Sequence, residues 1–404
     1  MVKRFRIGLL MHYPQWMGGI IYIQNLVKAL NFLPPEERQT IELYLLVGSD
    51  IKQEFYKDLV PIVDKVCIED SLTTNLYNRL SRKIGQFFPI VRNVINRSLV
   101  QVVNREQLDF VYPVNIFGIS WNFSCDYATW IPDFQYKYFP QFFKTTSNLN
   151  KFFADVASKS DKIVLSSKVA ENDFHKFFPN STAKTLVLNF RTIISEDCFE
   201  IETESVIKKY DLPDNFFLVS NQFWIHKNHR LVFESLEILK SKYNILPNVV
   251  CTGSLHDFRS PSYIKKLLQY IQESGLENQI KILGLIPRND QIQLMRQCLA
   301  VIQPSLFEGW STVVEDARSL GKSLILSEIP VHLEQNPPQT LFFDPNSAED
   351  LADKIKTILQ KLSPGPDSEL EIKTKKMNLI NYQIFAKDFI KIVKTQEFST
   401  SQKK

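Results

Sequence analysis

Short apolar runs alternate along this chain with segments whose apolar residues recur every three or four positions, the pattern of buried parallel strands joined by amphipathic helices. Phe5 to Met11 reads as a strand, Ile23, Leu26, Val27 and Leu30 as one face of a helix, and Ile41 to Val47 as the next strand. This is a βαβ opening. Leu108 to Tyr112, Tyr127 to Ile131 and Lys162 to Leu165 extend it into a first doubly wound domain, whose helices are less clear between 52 and 105. A second series of strands follows at Phe216 to Val219, Asn248 to Cys251, Ile280 to Leu283, Leu299 to Gln303, Leu324 to Ser327 and Leu341 to Phe343. Helical faces lie between them, such as Ile264, Leu267, Leu268 and Ile271, or Leu351, Ile355, Ile358 and Leu359.

The pattern predicts an α/β protein of two domains. Asn189 to Asp214 is polar and acidic, carries Pro213 and lacks a clear period, which sets a linker at 196–214 between domains over 1–195 and 215–368. Ser363-Pro364-Gly365-Pro366 ends the last helix of the second domain, and 369–404 reads as a further helix and tail, with Tyr382, Phe385, Phe389 and Ile390 available to pack. A length of 404 residues with 44% hydrophobic content suits two cores of roughly 150 to 200 residues each.

Charge narrows the function classes. With 48 Lys and Arg against 44 Asp and Glu, the net charge of +4 gives no global argument for nucleic acid. The five cysteines are scattered, odd in number and without C-x-x-C spacing, as expected of reduced cytoplasmic thiols rather than a disulfide or zinc framework. Ile7 to Met11 is too short for a signal-peptide core, and no apolar run approaches the roughly 18 to 20 residues of a membrane span. The expected location is the cytoplasm.

Candidate chemistry gathers where strands of the second domain end. Leu299 to Gln303 reads as a buried strand, Glu308 to Ser311 as a turn and Thr312 to Leu320 as a helix. Glu308 and the amides of Gly309, Trp310, Ser311 and Thr312 then face the position where an anion binds at a helix start, outside a strand's carboxyl end. The run from Glu308-Gly309-Trp310 to Asp316-Ala317 and Gly321 resembles the E-x7-E signature of the family 4 (group 1) glycosyltransferases, with aspartate replacing the second glutamate. The resemblance implies a GT-B fold, two Rossmann-like doubly wound domains with a final helix crossing back to the first. It also implies a retaining transfer of a hexose from a nucleotide-diphosphate sugar to a hydroxyl of a glycan or lipid-linked saccharide, as in bacterial cell-surface polysaccharide synthesis. In that family the first acid addresses the donor sugar and the second the ribose hydroxyls. Asp316 is in register for the ribose, but the adjacent Glu315 is an alternative, and residues about 100° apart on a helix cannot both face it.

The same resemblance assigns further positions. Gly18 and Gly19 match glycines that approach the donor from the first domain, whereas by themselves they read as a turn. In Val219 to His229, Lys227 matches a lysine that neutralises the diphosphate, and Gln222 stands where the family has an arginine. One cation is therefore missing there, with Arg288 as a replacement or a contact near the base. Without the resemblance Lys227 would read as a solvated lysine at a helix start. His226 and His229 lack a third ligand at a useful spacing, so no metal and no cofactor are expected. Asp133, after Trp130-Ile131-Pro132, reads equally as a turn aspartate or as a group positioning an acceptor hydroxyl. Tyr382 to Ala386 stands where the family often has W-x-x-x-A. Between Arg79 and Arg105 six basic and no acidic residues interleave with apolar ones, which reads either as a solvated helix face or as a peripheral contact with anionic membrane. Because Gln222 and Asp316 depart from the family pattern, a catalytically impaired sugar-binding relative is the alternative.

Overall fold

The computed structural model describes residues 3–11, 17–72, 99–114, 124–143, 146–257 and 259–395. Two compact units are formed, one from 1–132, 147–191 and 379–404, the other from 133–146 and 192–378.

In the first unit, β1 (Phe5–Met11), β2 (Ile41–Gly48), β3 (Lys65–Glu69), β4 (Phe110–Tyr112) and β5 (Asp126–Tyr127) make a parallel sheet in the order β3-β2-β1-β4-β5. The helix Met17–Leu30 follows β1 and buries Ile20, Ile23, Leu26, Val27 and Leu30, so the expected βαβ opening is present. A smaller parallel sheet holds β6 (Thr129–Ile131), β7 (Lys162–Leu165) and β8 (Lys184–Val187). The run Tyr127 to Ile131, expected as one strand, is thus divided. Tyr127 pairs with Val111 of β4, whereas Thr129 pairs with Ile163 of β7. Periodicity marks an apolar run but not which neighbour each half will bond.

The second unit is a six-stranded parallel sheet of β9 (Phe217–Ser220), β10 (Val249–Thr252), β11 (Ile280–Gly284), β12 (Val301–Gln303), β13 (Leu324–Ser327) and β14 (Thr340–Phe343). Its order is β11-β10-β9-β12-β13-β14, the 3-2-1-4-5-6 arrangement of a doubly wound sheet. Alternation in the strands fills both faces: Phe217, Val219, Cys251, Ile302 and Ile325 enter one core, while Leu218, Val250, Val301, Leu324 and Leu326 enter the other. Strand order reverses between β9 and β12, which opens a crevice at their carboxyl ends.

The stretch 196–214 is not a linker. Short helices Asp197–Glu200 and Thr203–Tyr210 place Cys198, Val206 and Ile207 in the second core, and Arg296 donates to the carbonyls of Cys198 and Ile201 at 3.0 and 2.9 Å. Its apolar residues are too sparse to show a period, yet enough to cover one sheet face. The segment 133–146 likewise belongs to the second unit, where Tyr138 and Phe139 pack on Phe307. The final helix, Ser368–Lys394, serves both units. Its start pairs Glu371 with buried Arg296 at 2.8 Å, and its later turns bury Tyr382, Phe385, Ala386 and Phe389, the last 5.3 Å from the Tyr112 ring. All five cysteines are free thiols. No described helix is long and apolar enough to cross a membrane. Most of the basic stretch 79–105 lies outside the described residues; Arg105 pairs with Glu69 and Glu106 at 2.6 and 2.8 Å.

Candidate active site

Two loops from neighbouring strands meet at the crevice. The loop after β9 carries Asn221 and Gln222, then a single 3-10 turn, Ile225–Lys227, before the helix His229–Tyr243. The loop after β12 carries Glu308. Lys227 Nζ donates to Glu308 Oε1 at 2.5 Å, and both side chains are largely buried. Gly253 lets the end of β10 come close to the loop after β9: its φ is +130°, and a Cβ there would sit 2.1 Å from the Asn221 carbonyl oxygen.

Gln303, the last residue of β12, holds the pair in place. Its Nε2 donates to Glu308 Oε1 at 2.8 Å and to Ser311 Oγ at 3.1 Å, and its Oε1 accepts from Asn221 Nδ2 at 2.5 Å. One buried amide therefore links both loops and the next helix. Ser311 caps the helix Thr312–Ser319, and Gly321 closes it in the left-handed region at φ +67°. The Ser311 N–H, expected to be open to an anion, is taken by Gln335 Oε1 at 3.2 Å.

The neighbouring acids on that helix diverge. Glu315 is fully buried, accepts from Gln335 Nε2 at 3.0 Å and lies 3.5 Å from Arg318 Nε. Asp316 faces the other way and accepts both Nη groups of Arg288, at 2.6 and 2.5 Å. Arg288 opens the helix Arg288–Gln297 after β11 and remains about a third exposed (36%).

Residues 200–373 match the family model described as glycosyl transferases group 1. Over 88% of this chain and 89% of its own length, an N,N'-diacetylbacillosaminyl-diphospho-undecaprenol alpha-1,3-N-acetylgalactosaminyltransferase of Campylobacter jejuni is 24% identical. The O-antigen chain mannosyltransferase RfbU of Salmonella typhimurium is also 24% identical, but the match spans only 36% of this chain and 39% of that protein. Among solved structures, a glycosyltransferase from Rickettsia africae aligns over 97% of this chain and 98% of its own with a TM-score of 0.67 at 16% identity. Anabaena Alr3699/HepE, in complex with UDP and glucose, aligns over 96% and 97% with a TM-score of 0.63 at 18% identity. The fold is therefore GT-B.

Further polar residues that the motif does not mark lie near the Lys227–Glu308 pair. Arg259, on the loop after β10, is nearly buried; it pairs with Asp257 at 3.3 Å, donates to Gln135 Oε1 at 3.1 Å, lies 3.5 Å from His226 Nδ1 and stacks 4.5 Å from the Trp224 ring centre. Asp133 accepts the Gln135 N–H at 2.8 Å, a turn contact, while burial and then the Glu308 charge push its carboxyl pKa up against Lys227 and Arg259. His332, on the short helix after β13, is fully buried with Nδ1 2.9 Å from the Ser327 carbonyl oxygen, so Nδ1 carries the proton. Burial lowers its pKa to about 4, with Glu308 opposing and Lys227 reinforcing.

The H-x-x-H spacing serves packing. His226 faces Arg259, and the His229 ring stacks on Phe223 at 4.1 Å. Among the described residues no group of His, Cys, Asp and Glu is disposed to hold a metal ion. Gly18 and Gly19 lie in the first turn of the helix Met17–Leu30 of the first unit. Gln222 lies just beyond β9, on the Lys227 loop.

Proposed function

We propose that this chain transfers a hexose from a nucleotide-diphosphate sugar to a hydroxyl of a glycan or lipid-linked saccharide, with retention, in bacterial surface-polysaccharide synthesis. The observation that carries the reading is the buried Lys227–Glu308 pair at the strand-order reversal. Lys227 supplies positive charge where a diphosphate leaves, and Glu308 accepts hydrogen bonds from the sugar. As the bond from the anomeric carbon to phosphate oxygen breaks, its electron pair departs with the nucleotide diphosphate. The acceptor oxygen bonds to that carbon, and its proton passes to the departing phosphate oxygen.

Arg259 supports the role left open by Gln222, since it brings a preformed cation beside His226, one residue from Lys227. Asp316, with Arg288 forked onto it, faces the nucleotide end, and Glu315 serves the helix. Amides of Gly309, Trp310 and Thr312 complete the anion environment, and Gly18 and Gly19 are further donor contacts. Asp133 positions the acceptor hydroxyl. The charge at the leaving group is carried by side chains and helix amides, so the reaction needs no metal and no cofactor.

Glu308→Gln tests the reading. The amide keeps the shape, so the variant melts like the parent while transfer and slow donor hydrolysis, followed by release of nucleoside diphosphate, fall by about 100-fold or more. Unchanged turnover removes the site. Donor binding without turnover by the unaltered chain, on a panel of nucleotide sugars and acceptors, favours a sugar-binding relative instead.

A further inference from the structure

The last helix exposes an apolar ridge that the described residues do not cover. Met377, Ile380 and Ile384 are each at least half exposed, as are Ile372 and Leu379 on another side of the helix. The spacing of 377, 380 and 384 puts the three on one stripe of the helix, opposite the stripe that buries Asn378, Tyr382, Phe385 and Phe389. Exposed lysines share the outer stripe: Lys373 and Lys376 lie one turn ahead of Met377 and Ile380, and Lys387 and Lys391 continue beyond Ile384. From Ile372 to Lys394 the only acidic residue is Asp388, which pairs with Lys391 at 2.7 Å.

We propose that this face of Ser368–Lys394 lies on an anionic lipid bilayer, with the ridge entering the acyl boundary and the lysines meeting the headgroups. Apolar side chains flanked by cations of one sign along a helix suit an interface that is greasy inside and negative at its rim. A second copy of the chain is disfavoured as the occupant, because two such faces would bring lysines against lysines. None of its residues belongs to the donor site or to the basic stretch 79–105.

Sedimentation of the full chain with phosphatidylcholine vesicles, with and without an equal amount of phosphatidylglycerol, tests this. The chain should pellet with the anionic vesicles and not with the neutral ones, and binding should collapse in about 1 M salt, where charges are screened beyond about 3 Å. Ile380→Asp with Ile384→Asp should weaken binding about tenfold or more, while Lys373→Gln with Lys376→Gln should weaken it less and flatten the salt dependence. These side chains are exposed, so melting temperatures should hold. Three results would overturn the proposal: no binding by the parent, equal binding by both variants, or a parent dimer without vesicle binding that the isoleucine variant dissociates. The last would assign the face to a second copy.

Discussion

Arg288 forks onto Asp316, donating its two Nη groups to the two carboxylate oxygens at 2.6 and 2.5 Å. The acid is buried and the guanidinium is partly exposed, so the pair presents a cation, not a bare carboxylate, to whatever occupies the crevice beside it. One methylene fewer than glutamate draws the carboxylate back toward the helix, where Arg288 reaches it.

Removing either partner should therefore affect the donor through the other. Arg288→Ala and Asp316→Asn are each expected to raise the donor Kd about tenfold, and the double variant should cost little more than either alone. The coupling energy should be about 1.4 kcal/mol at most. Isothermal titration with the productive nucleotide sugar across this cycle checks it; additive losses would separate the two residues.

Gln303 is expected to matter without touching substrate. Gln303→Ala frees Glu308 and Ser311 from a shared donor and removes the tie to Asn221. Turnover should fall about tenfold with donor affinity less affected, because the carboxylate is present but loosely placed. Steady-state kinetics resolves kcat from KM.

Arg259 separates charge from geometry. Arg259→Lys keeps a cation but loses the fork that spans Asp257 and Gln135 and the stack on Trp224, so kcat/KM should drop about tenfold with a small change in melting. Arg259→Ala leaves the buried Asp257 with backbone N–H donors but no charge partner and should destabilise the fold by about 3 kcal/mol. Kinetics together with chemical denaturation distinguishes the two.

Acid should destabilise the second unit through its histidines. Burial lowers the pKa of His332 to about 4, that of His229 to about 3 and that of His226 well below the ordinary value. Below about pH 6.5 the unfolded chain binds protons that the folded chain refuses. Stability is then complete above that pH and falls as pH drops, by about 1.4 kcal/mol per unit for each group. Urea midpoints at a series of pH values should decline through this window, and His332→Gln should make the slope shallower.

The strands of the second unit, its helix Thr312–Ser319 with Asp316 on it, and the placing of Glu308 and Lys227 beyond strand ends were legible in the chain because they follow from local period and from a contiguous motif. Arg259, Gln303 and His332 were not, since each comes from a different loop or strand end and only strand order brings them together. The choice between Glu315 and Asp316 was equally beyond the sequence. Helical rotation says that the two diverge, but the side chains of Arg288 and Gln335, distant along the chain, decide which acid each will take. Local backbone preference acts within a turn, whereas charge pairing and burial act between segments that meet only after folding.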